Sequence, residues 1–329
     1  MHKSNSILQD FSKVLNGLSD ARIMVIGDVM LDRFIWGKVE RISPEAPVPV
    51  VWVKNESAMP GGAANVARNV SAIGAKAFLA GVIGNDSDGL FIKDILNKFS
   101  INTSMLIKDA KRPTTVKTRV VAHNQQVVRI DKEELSPLST DIIDKLWLKI
   151  SKKLPQVDII IIEDYGKGVI TKRLLSRVIS AAHKLGKLIA VDPKKDHFEF
   201  YKKADIITPN RKELSDALGG IRLDNIKDVD IAAKKLIKKL QIKSLLVTLS
   251  EDGMKLYYGD KSHHVPTSAK EVYDVSGAGD TVIAVFSACR AIGIDPIIAT
   301  TIANAAAGVV VGKIGVATAS IDEIYNKLQ

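Results

Sequence analysis

The chain has 329 residues, of which 46% are hydrophobic, with one cysteine, Cys289, and a net charge of +10. This apolar content suffices for the core of one large domain over residues 1–329, and a single cysteine excludes an internal disulfide. No apolar run reaches the length of a membrane span and the polar N-terminus lacks a signal-peptide core, so we expect a cytoplasmic protein without a membrane partner.

The first predicted element is an amphipathic helix that ends before Asp20. Its apolar residues recur at helical spacing: Ile7, Leu8, Phe11, Val14 and Leu15. Beyond it, short β-branched runs alternate with helical patterns, which predicts βαβ units and an α/β fold with a mainly parallel sheet flanked by helices. The predicted strands are residues 22–26, 77–82, 157–162, 187–191, 205–207 and 244–248.

Polar residues follow the carboxyl ends of most of these strands. In open α/β sheets, this edge of the sheet binds ligands. We therefore expect these residues to converge at a site, whichever family the chain belongs to. They are Asp28, Glu163, Asp164, Asp192, Asn210 and Ser250.

Two segments break the alternation of strands and helices. Residues 33–56 alternate apolar and polar side chains around a cluster of prolines, and residues 112–132 have the pattern of a hairpin that turns near His123-Asn124. Together they predict a second, small sheet outside the main one. Apolar residues such as Trp36 and Trp52 would then be exposed on it.

A lysine-rich stretch accounts for part of the positive charge. In residues 233–240, apolar side chains recur at helical spacing and the lysines occupy the opposite face. Only 5% of the residues are aromatic, and no nucleic-acid-binding module is recognisable. We therefore expect a solvated helix face and no nucleic-acid partner.

The most informative motif is Asp274-Val-Ser-Gly-Ala-Gly-Asp280, which precedes an apolar helix. Gly277, Ala278 and Gly279 have little side chain, so their N–H groups can converge on a transferring phosphate at the positive end of the helix. Asp280 then stands where a base could take a proton from an attacking hydroxyl. The alternative is an ordinary capped helix with an acid in its first turn.

Three motifs together resemble the ribokinase-like (PfkB-type) sugar kinases: Gly61-Gly62-Ala-Ala-Asn65, Asn210-Arg211-Lys212-Glu213 and the segment that ends at Asp280. Four further blocks resemble the heptose 7-phosphate kinases within that family. The resemblance implies a ribokinase-like sheet with a small β lid, ATP and Mg²⁺, compatibility with a monovalent cation, and a homodimer formed through the lid. The four blocks are Gly27-Asp-Val-Met-Leu-Asp-Arg33, residues 41–50, residues 124–131 and Val191-Asp-Pro-Lys194.

The resemblance implies a sugar site near the N-terminus of the chain. Its hydroxyl-binding residues would be Asp28, Asp32, Gly61, Gly62 and Asn65. A substrate that already carries a phosphate also needs a cation, and Arg129, Lys167 and Lys194 are the candidates. Lys194 could instead contact the phosphates of ATP.

The nucleotide and its metal would occupy the C-terminal half. In the family's Asn-x-x-Glu motif the glutamate organises Mg²⁺ through water, which assigns the metal to Glu213, although the same spacing is also a helix capping box. The predicted ATP-binding residues are Lys194, Asn210, Arg211, Lys212, Glu213, Ser250, Gly253 and Asn304.

The expected reaction is transfer of the γ-phosphoryl group of ATP to O1 of D-glycero-β-D-manno-heptose 7-phosphate. The relatives implied by the resemblance are often fused to a nucleotidyltransferase, which makes such a domain a candidate partner. Three alternatives stay open. They are a kinase for ribose, fructose 6-phosphate or adenosine, a non-catalytic ligand sensor, and a nucleic-acid-binding protein.

Overall fold

Two β-sheets organise the protein in a computed structural model that describes residues 11, 13, 14, 16–123, 125–269 and 271–329. In chain order the strands are β1 (Arg22–Gly27), β2 (Val29–Ile42), β3 (Pro49–Gly62), β4 (Lys76–Gly84), β5 (Asn102–Asp109), β6 (Thr115–Ala122), β7 (Gln125–Lys132), β8 (Ile159–Glu163), β9 (Leu188–Asp192), β10 (Ile206–Ile207), β11 (Ser244–Thr248), β12 (Met254–Tyr258) and β13 (Lys261–Val265). The larger sheet has nine strands in the order β13-β12-β11-β10-β9-β8-β1-β4-β5, and the smaller has four in the order β3-β2-β6-β7.

Helices cover the larger sheet and supply its buried layers. They are α1 (Ala63–Ala72), α2 (Ser87–Lys98), α3 (Thr140–Lys153), α4 (Lys172–Lys184), α5 (Arg211–Ala217), α6 (Ile226–Leu240), α7 (Ala278–Ala291), α8 (Pro296–Val310) and α9 (Ile321–Leu328). Two separate apolar clusters result, one of which contains residues of α1, α7 and α8, and the other residues of α3, α4 and α6. The predicted α/β class with a mainly parallel sheet is confirmed.

The predicted strands all belong to the larger sheet. The four isoleucines of β8 are fully buried, as expected for a central parallel strand covered on both faces. Strands β5, β12 and β13 were not predicted. Strand β5 buries its residues without strict alternation, and β13 is mostly exposed at the antiparallel edge of the sheet, so neither has a clear strand pattern.

The smaller sheet is the predicted lid, although its strands extend beyond the predicted segments. Strand β2 begins at Val29, two residues after β1 ends, and β3 runs directly into α1 at Ala63. The lid therefore leaves the carboxyl edge of the larger sheet and returns to it. The hairpin between β6 and β7 turns at His123, while Asn124 lies outside the described residues.

Three other predictions concern local burial. Phe11 and Val14 are helical and buried, whereas Ile7, Leu8 and Leu15 lie outside the described residues. Cys289 is buried within α7, and the lysines of residues 233–240 are exposed on α6, as predicted. Within the described part of the chain, no helix is both long and apolar enough to cross a membrane.

Candidate active site

Asp280 lies in the first turn of α7, at the carboxyl edge of the larger sheet. Asn65 Nδ2 donates a hydrogen bond of 2.6 Å to its Oδ2, and the Tyr165 hydroxyl donates to Oδ1 at 3.3 Å. Burial raises the pKa of Asp280 to about 6, although both hydrogen bonds favour the ionised form. A carboxylate with a pKa near the working pH is well suited to general base catalysis.

The turn before Asp280 has the conformation that its glycines permit. Gly277 is left-handed, with a φ of +80°, and a Cβ there would lie 3.1 Å from Asn65 Nδ2. The prediction that three amides bind an anion needs correction at Ala278, because its N–H donates to the Val275 carbonyl at 3.2 Å. Among the described residues, the N–H groups of Gly277 and Gly279 have no acceptor.

Asp32 lies on β2 of the lid, with its carboxylate against the Gly61-Gly62 turn. A Cβ at Gly61 would lie 2.2 Å from Asp32 Oδ2, so a side chain at residue 61 would displace that carboxylate. Gly62 has a φ of +55°, and a Cβ there would lie 2.5 Å from the Asp28 carbonyl oxygen. The glycine pair therefore allows a close approach of β3 to Asp28 and Asp32.

Asp28 does not have the sugar-binding geometry that the sequence predicted. Its carboxylate accepts hydrogen bonds from the backbone N–H groups of Tyr165, Lys167 and Val169, at 2.9, 3.0 and 3.1 Å. The side chain is 1% exposed, and burial raises its pKa to about 6. Asp28 holds the loop after β8 in place, so its oxygens face backbone rather than the cleft.

Two further carboxylates converge on Asp280. Glu163 ends β8, Asp192 ends β9, and one oxygen from each lies within 4.8 Å of one oxygen of Asp280. Burial, and then the Asp192 charge, raise the pKa of Glu163 well above its ordinary value. The pKa of Asp192 is raised for similar reasons, with Glu213 as its most influential charged neighbour. Both residues were noted at strand ends, but the sequence suggested no role for them.

Cationic side chains line the lid next to Asp32. Arg119 on β6 forms an ion pair with Asp32, and Lys117 is the β6 residue that pairs with Asp32 across the parallel strands. Lys167 lies close enough to lower the pKa of Lys117, after burial, and its Nζ is 2.7 Å from Glu133. Arg129, on β7 opposite Arg119, is half exposed and bonded to Asp131 at 2.9 Å.

No motif in the sequence indicated a role for Lys117, Arg119 or Tyr165. The two basic residues share one face of the lid with Asp32, because residues two apart on a strand point to the same side. The predicted hairpin placed them on β6, but nothing in the sequence indicated that β6 pairs with β2. Tyr165 follows Glu163 and Asp164 after β8. Because polar residues that follow the carboxyl end of a strand were expected at the site, Tyr165 could have been included among them.

A cleft of about 390 Å³ adjoins the turn at Ala278 and Gly279. Its walls are mostly small or apolar, including Ala307 and Gly308 of α8. The Asn304 amide, which also faces the cleft, donates to the Pro266 carbonyl at 2.8 Å. Of the residues predicted to bind ATP, the cleft is lined by Ser250, Gly253 and Asn304.

The other residues predicted to bind ATP do not line this cleft. Asn210 and Glu213 form a reciprocal capping box, in which the Asn210 N–H donates to Glu213 Oε2 and the Glu213 N–H donates to Asn210 Oδ1, both at 2.9 Å. Arg211 is paired with Asp252, and Lys212 is exposed and paired with Asp216. The stem of Lys194 lies 3.3 Å from where a Cβ of Gly166 would be.

Glu213 keeps one carboxylate oxygen outside its capping bond. Burial raises its pKa, which the Asn210 amide and the Lys194 charge partly oppose. Its capping bond uses Oε2, so Oε1 is free of that bond. Mg²⁺ binds through one or two carboxylates and several waters, so the remaining oxygen fits this requirement.

The fold resembles solved structures of sugar kinases. Ribokinase from Arabidopsis thaliana, in complex with ribose and ATP, superposes with a TM-score of 0.74 at 20% identity, over 94% of this chain and 99% of that one. Phosphofructokinase-2 from Escherichia coli, in complex with potassium, gives a TM-score of 0.78 at 20% identity, over 94% and 98%. The fold is thus ribokinase-like.

The family follows from sequence. The model of the pfkB family carbohydrate kinases matches residues 20–323, and the chain belongs to that family. It is therefore an ATP-dependent sugar kinase. The chain is 45% identical over 304 residues to bifunctional protein HldE of Helicobacter hepaticus, and 46% identical over 303 residues to the protein of that name from Helicobacter pylori strain HPAG1. Both alignments include 92% of this chain. They cover 63% of the H. hepaticus protein and 65% of the H. pylori protein.

Proposed function

We propose that this kinase transfers the γ-phosphoryl group of ATP to O1 of D-glycero-β-D-manno-heptose 7-phosphate, a step of ADP-heptose synthesis. One observation supports a sugar phosphate as the substrate. A strip of charged side chains leads from Asp280 past Asp32 to Arg119 and Lys117. It presents a base at one end and cations at the other. A polyol with a hydroxyl at one end and a phosphate at the other complements that strip.

The reacting end of the substrate would meet Asp280. Asn65 and Tyr165 orient this carboxylate by donating to its two oxygens, so that it can accept the proton of the attacking hydroxyl. The N–H groups of Gly277 and Gly279 stabilise the charge on the transferring phosphate. The nucleotide occupies the cleft lined by Ser250, Gly253 and Asn304.

The far end of the substrate would meet the lid cations. Arg119 and Lys117 lie beside Asp32, and Lys167, in the loop after β8, is close enough to lower the pKa of Lys117. A phosphate there gains charge-assisted hydrogen bonds, which are about twice as strong as neutral ones. Arg129 is a weaker candidate, because Asp131 already pairs with its guanidinium through two hydrogen bonds.

Mg²⁺ would be held with the triphosphate through Glu213 and water. When bound, the ion neutralises charge on the phosphates of ATP. The capping box fixes Glu213 at the start of α5 and orients it before the nucleotide arrives. Lys194 lowers the pKa of Glu213, which indicates that its charge lies near the same position.

We also propose that the kinase works together with a nucleotidyltransferase domain or partner. The relatives are named bifunctional, and the chain spans less than two thirds of their length. Supplied with heptose 7-phosphate, ATP, a phosphatase that removes the 7-phosphate and the matching nucleotidyltransferase, the reaction should give ADP-heptose only when the kinase is active. A kinase that supports the pathway alone would contradict this part of the proposal.

A homodimer formed through the lid is a further part of the proposal. The lid exposes several apolar side chains, among them Trp52 at 60% and Ile130 at 55%. Light scattering should give twice the monomer mass, and Trp52→Ser combined with Ile130→Ser should lower it toward the monomer. A monomeric wild-type protein would contradict this assembly.

A substrate panel tests the assignment. With ATP and Mg²⁺, heptose 7-phosphate should be used with a kcat/KM at least ~10²-fold above that for unphosphorylated heptose, because the unphosphorylated sugar lacks charge-assisted hydrogen bonds worth about 1.5–3 kcal/mol each. Ribose and adenosine should be poorer still, since neither spans the strip. The panel should also compare potassium with tetramethylammonium salts, because the family resemblance allows a monovalent cation.

The panel tests the heptose substrate separately from the carbohydrate kinase class. Equal kcat/KM for ribose, or a preference for fructose 6-phosphate, would overturn the heptose assignment but not the carbohydrate kinase class. Phosphorylated product should be identified by its position, because transfer to O1 removes the reducing end of the sugar.

A further inference from the structure

Charged side chains form two rows across one face of the lid. In the first row Lys117 on β6 is the register partner of both Asp32 on β2 and Asp131 on β7. The second row, two residues further along β6, pairs Arg119 with Arg129. Because side chains two apart on a strand point to the same side, both rows lie on one face of the lid.

The three cations of these rows already have acidic partners. Arg119 forms an ion pair with Asp32, and Arg129 forms one with Asp131. Lys117 Nζ lies 3.8 Å from Asp131, so this acid serves two cations. A phosphate that binds at this face must therefore take at least one cation from an acid of the protein.

Lys167 brings a fourth cation to this face from the loop after β8. Its partner is Glu133, the residue that directly follows β7; the side chains are 15% and 17% exposed, and Nζ lies 2.7 Å from Oε2. Within the described part of the chain, however, the buried Oε2 has no donor in hydrogen-bond geometry. The contact is therefore a close ion pair that lacks the directional hydrogen bond of the strongest pairs.

The backbone is fixed on both sides of this ion pair. The Lys167 N–H donates to the Asp28 carboxylate at 3.0 Å. The Arg112 guanidinium donates to the Lys167 carbonyl at 2.9 Å and to the Ser136 carbonyl at 2.7 Å, which ties the segment after β7 to the loop after β8. Glu133 and Lys167 can therefore exchange partners by side-chain rotation, while these segments stay in place.

Glu133 is the acid that an incoming anion displaces at the lowest cost. Asp131 lies within β7 and accepts two hydrogen bonds of 2.9 Å from Arg129. Asp32 lies within β2 and accepts a hydrogen bond from Arg119. Glu133 lies outside the strands, and its displacement breaks an ion pair without such a hydrogen bond.

We propose that Glu133 is an internal competitor for the phosphate group of the substrate: its carboxylate holds Lys167 until that phosphate displaces it. A phosphate monoester carries about two negative charges near neutral pH, so it gains more from Lys167 and Lys117 than a carboxylate does. A monoanion gains no charge over the acid that it replaces, and the exchange therefore selects a phosphate. The inference rests on the proposed function, which assigns the substrate's phosphate to these cations, but it does not require the sugar to be a heptose.

Binding of inorganic phosphate tests the exchange without any sugar. The nucleotide cleft is first saturated with a non-hydrolysable ATP analogue and Mg²⁺, and phosphate is then titrated by calorimetry. Glu133→Gln should bind phosphate at least ~3-fold more tightly than wild type, because the competing charge is gone. Lys167→Gln should bind it at least ~10-fold more weakly. Glu134→Gln is the matched control and should equal wild type, because the Glu134 carboxylate accepts from the Ser136 N–H at 2.8 Å, away from Lys167.

Steady-state kinetics separates the exchange from a structural role of Glu133. Glu133→Gln should lower KM for the phosphorylated sugar at unchanged kcat and leave the unphosphorylated sugar unaffected. A misfolded variant cannot imitate this result, because the expected change is a gain. Phosphate binding that is absent, unchanged or weaker in Glu133→Gln, or an equal change in kcat/KM for both sugars, would overturn the inference. If phosphate binds as expected but heptose 7-phosphate is not a substrate, the heptose assignment fails and the role of Glu133 stands.

Discussion

Asn65 at the start of α1 and Asp280 at the start of α7 are joined by a hydrogen bond of 2.6 Å, although 215 positions separate them in the chain. Through this contact, the glycine pair that ends β3 and the glycine turn before α7 meet at one carboxylate. The lid strand β3 runs directly into α1, so the segment that leaves the lid also carries the residue that bonds Asp280.

Asp280→Asn should lower kcat by roughly 10² to 10⁴ while ATP binding is retained, because the amide cannot accept the proton but keeps the side-chain shape. Rapid-quench kinetics and a nucleotide-binding titration would measure the two quantities. A variant with near-normal turnover would reduce Asp280 to a residue of the first helical turn.

Glu213→Gln should raise the Mg²⁺ concentration needed for half-maximal rate, because the amide interacts more weakly with the waters of the ion. Initial rates over a Mg²⁺ series at saturating substrates would measure this. Glutamine can still accept the capping bond from the Asn210 N–H, so the unfolding temperature should change little. An unchanged Mg²⁺ dependence with a lower unfolding temperature would favour a purely structural capping box.

Arg119→Gln should reduce the preference for heptose 7-phosphate over unphosphorylated heptose by at least ~10-fold in kcat/KM. The expected loss follows from a charge-assisted hydrogen bond worth about 1.5–3 kcal/mol. Arg41→Gln, on an exposed part of the lid, serves as the control and should leave that ratio unchanged. An equal loss for both sugars would mean that Arg119 acts only by orienting Asp32.

Asp86→Asn should destabilise the protein by about 1 kcal/mol at neutral pH, after allowance for solvent screening. The Asp86 carboxylate caps α2 and accepts from the Thr114 N–H and hydroxyl, and these contacts lower its pKa to about 2. Because the folded pKa lies below the ordinary value of 3.8, this stability is present above that value and is lost as pH falls toward 2.

Urea denaturation of wild type and Asp86→Asn at pH 7 and near pH 3 would check the expected pH dependence. The difference in free energy of unfolding between them should shrink at the lower pH. Asp322→Asn, in the first turn of α9, provides a control at another helix start. A difference that is the same at both pH values would show that the carboxylate charge contributes nothing.

Six strands of the larger sheet and the glycine turn before α7 were predictable because their signals are local. A run such as the four isoleucines of β8 is typical of a buried strand, and glycines before a helix with an acid in its first turn indicate either an anion-binding turn or an ordinary helix cap. The capping box of Asn210 and Glu213 was also within reach of the sequence, since its two members are three residues apart. The motifs that resemble the ribokinase-like sugar kinases were also recognisable because each is a short, continuous stretch of sequence.

The amino-acid sequence by itself therefore determined the α/β class, the lid segments, and Asp280 with its turn. Tertiary structure decided which polar groups meet: it turned Asp28 toward the loop after β8, brought Arg119 to Asp32, and placed Glu163 beside Asp192 and Asp280. These contacts depend on strand order, in which β1 lies between β8 and β4, and β6 pairs with β2. Strand order depends on long-range packing, which leaves no periodic signal in the sequence.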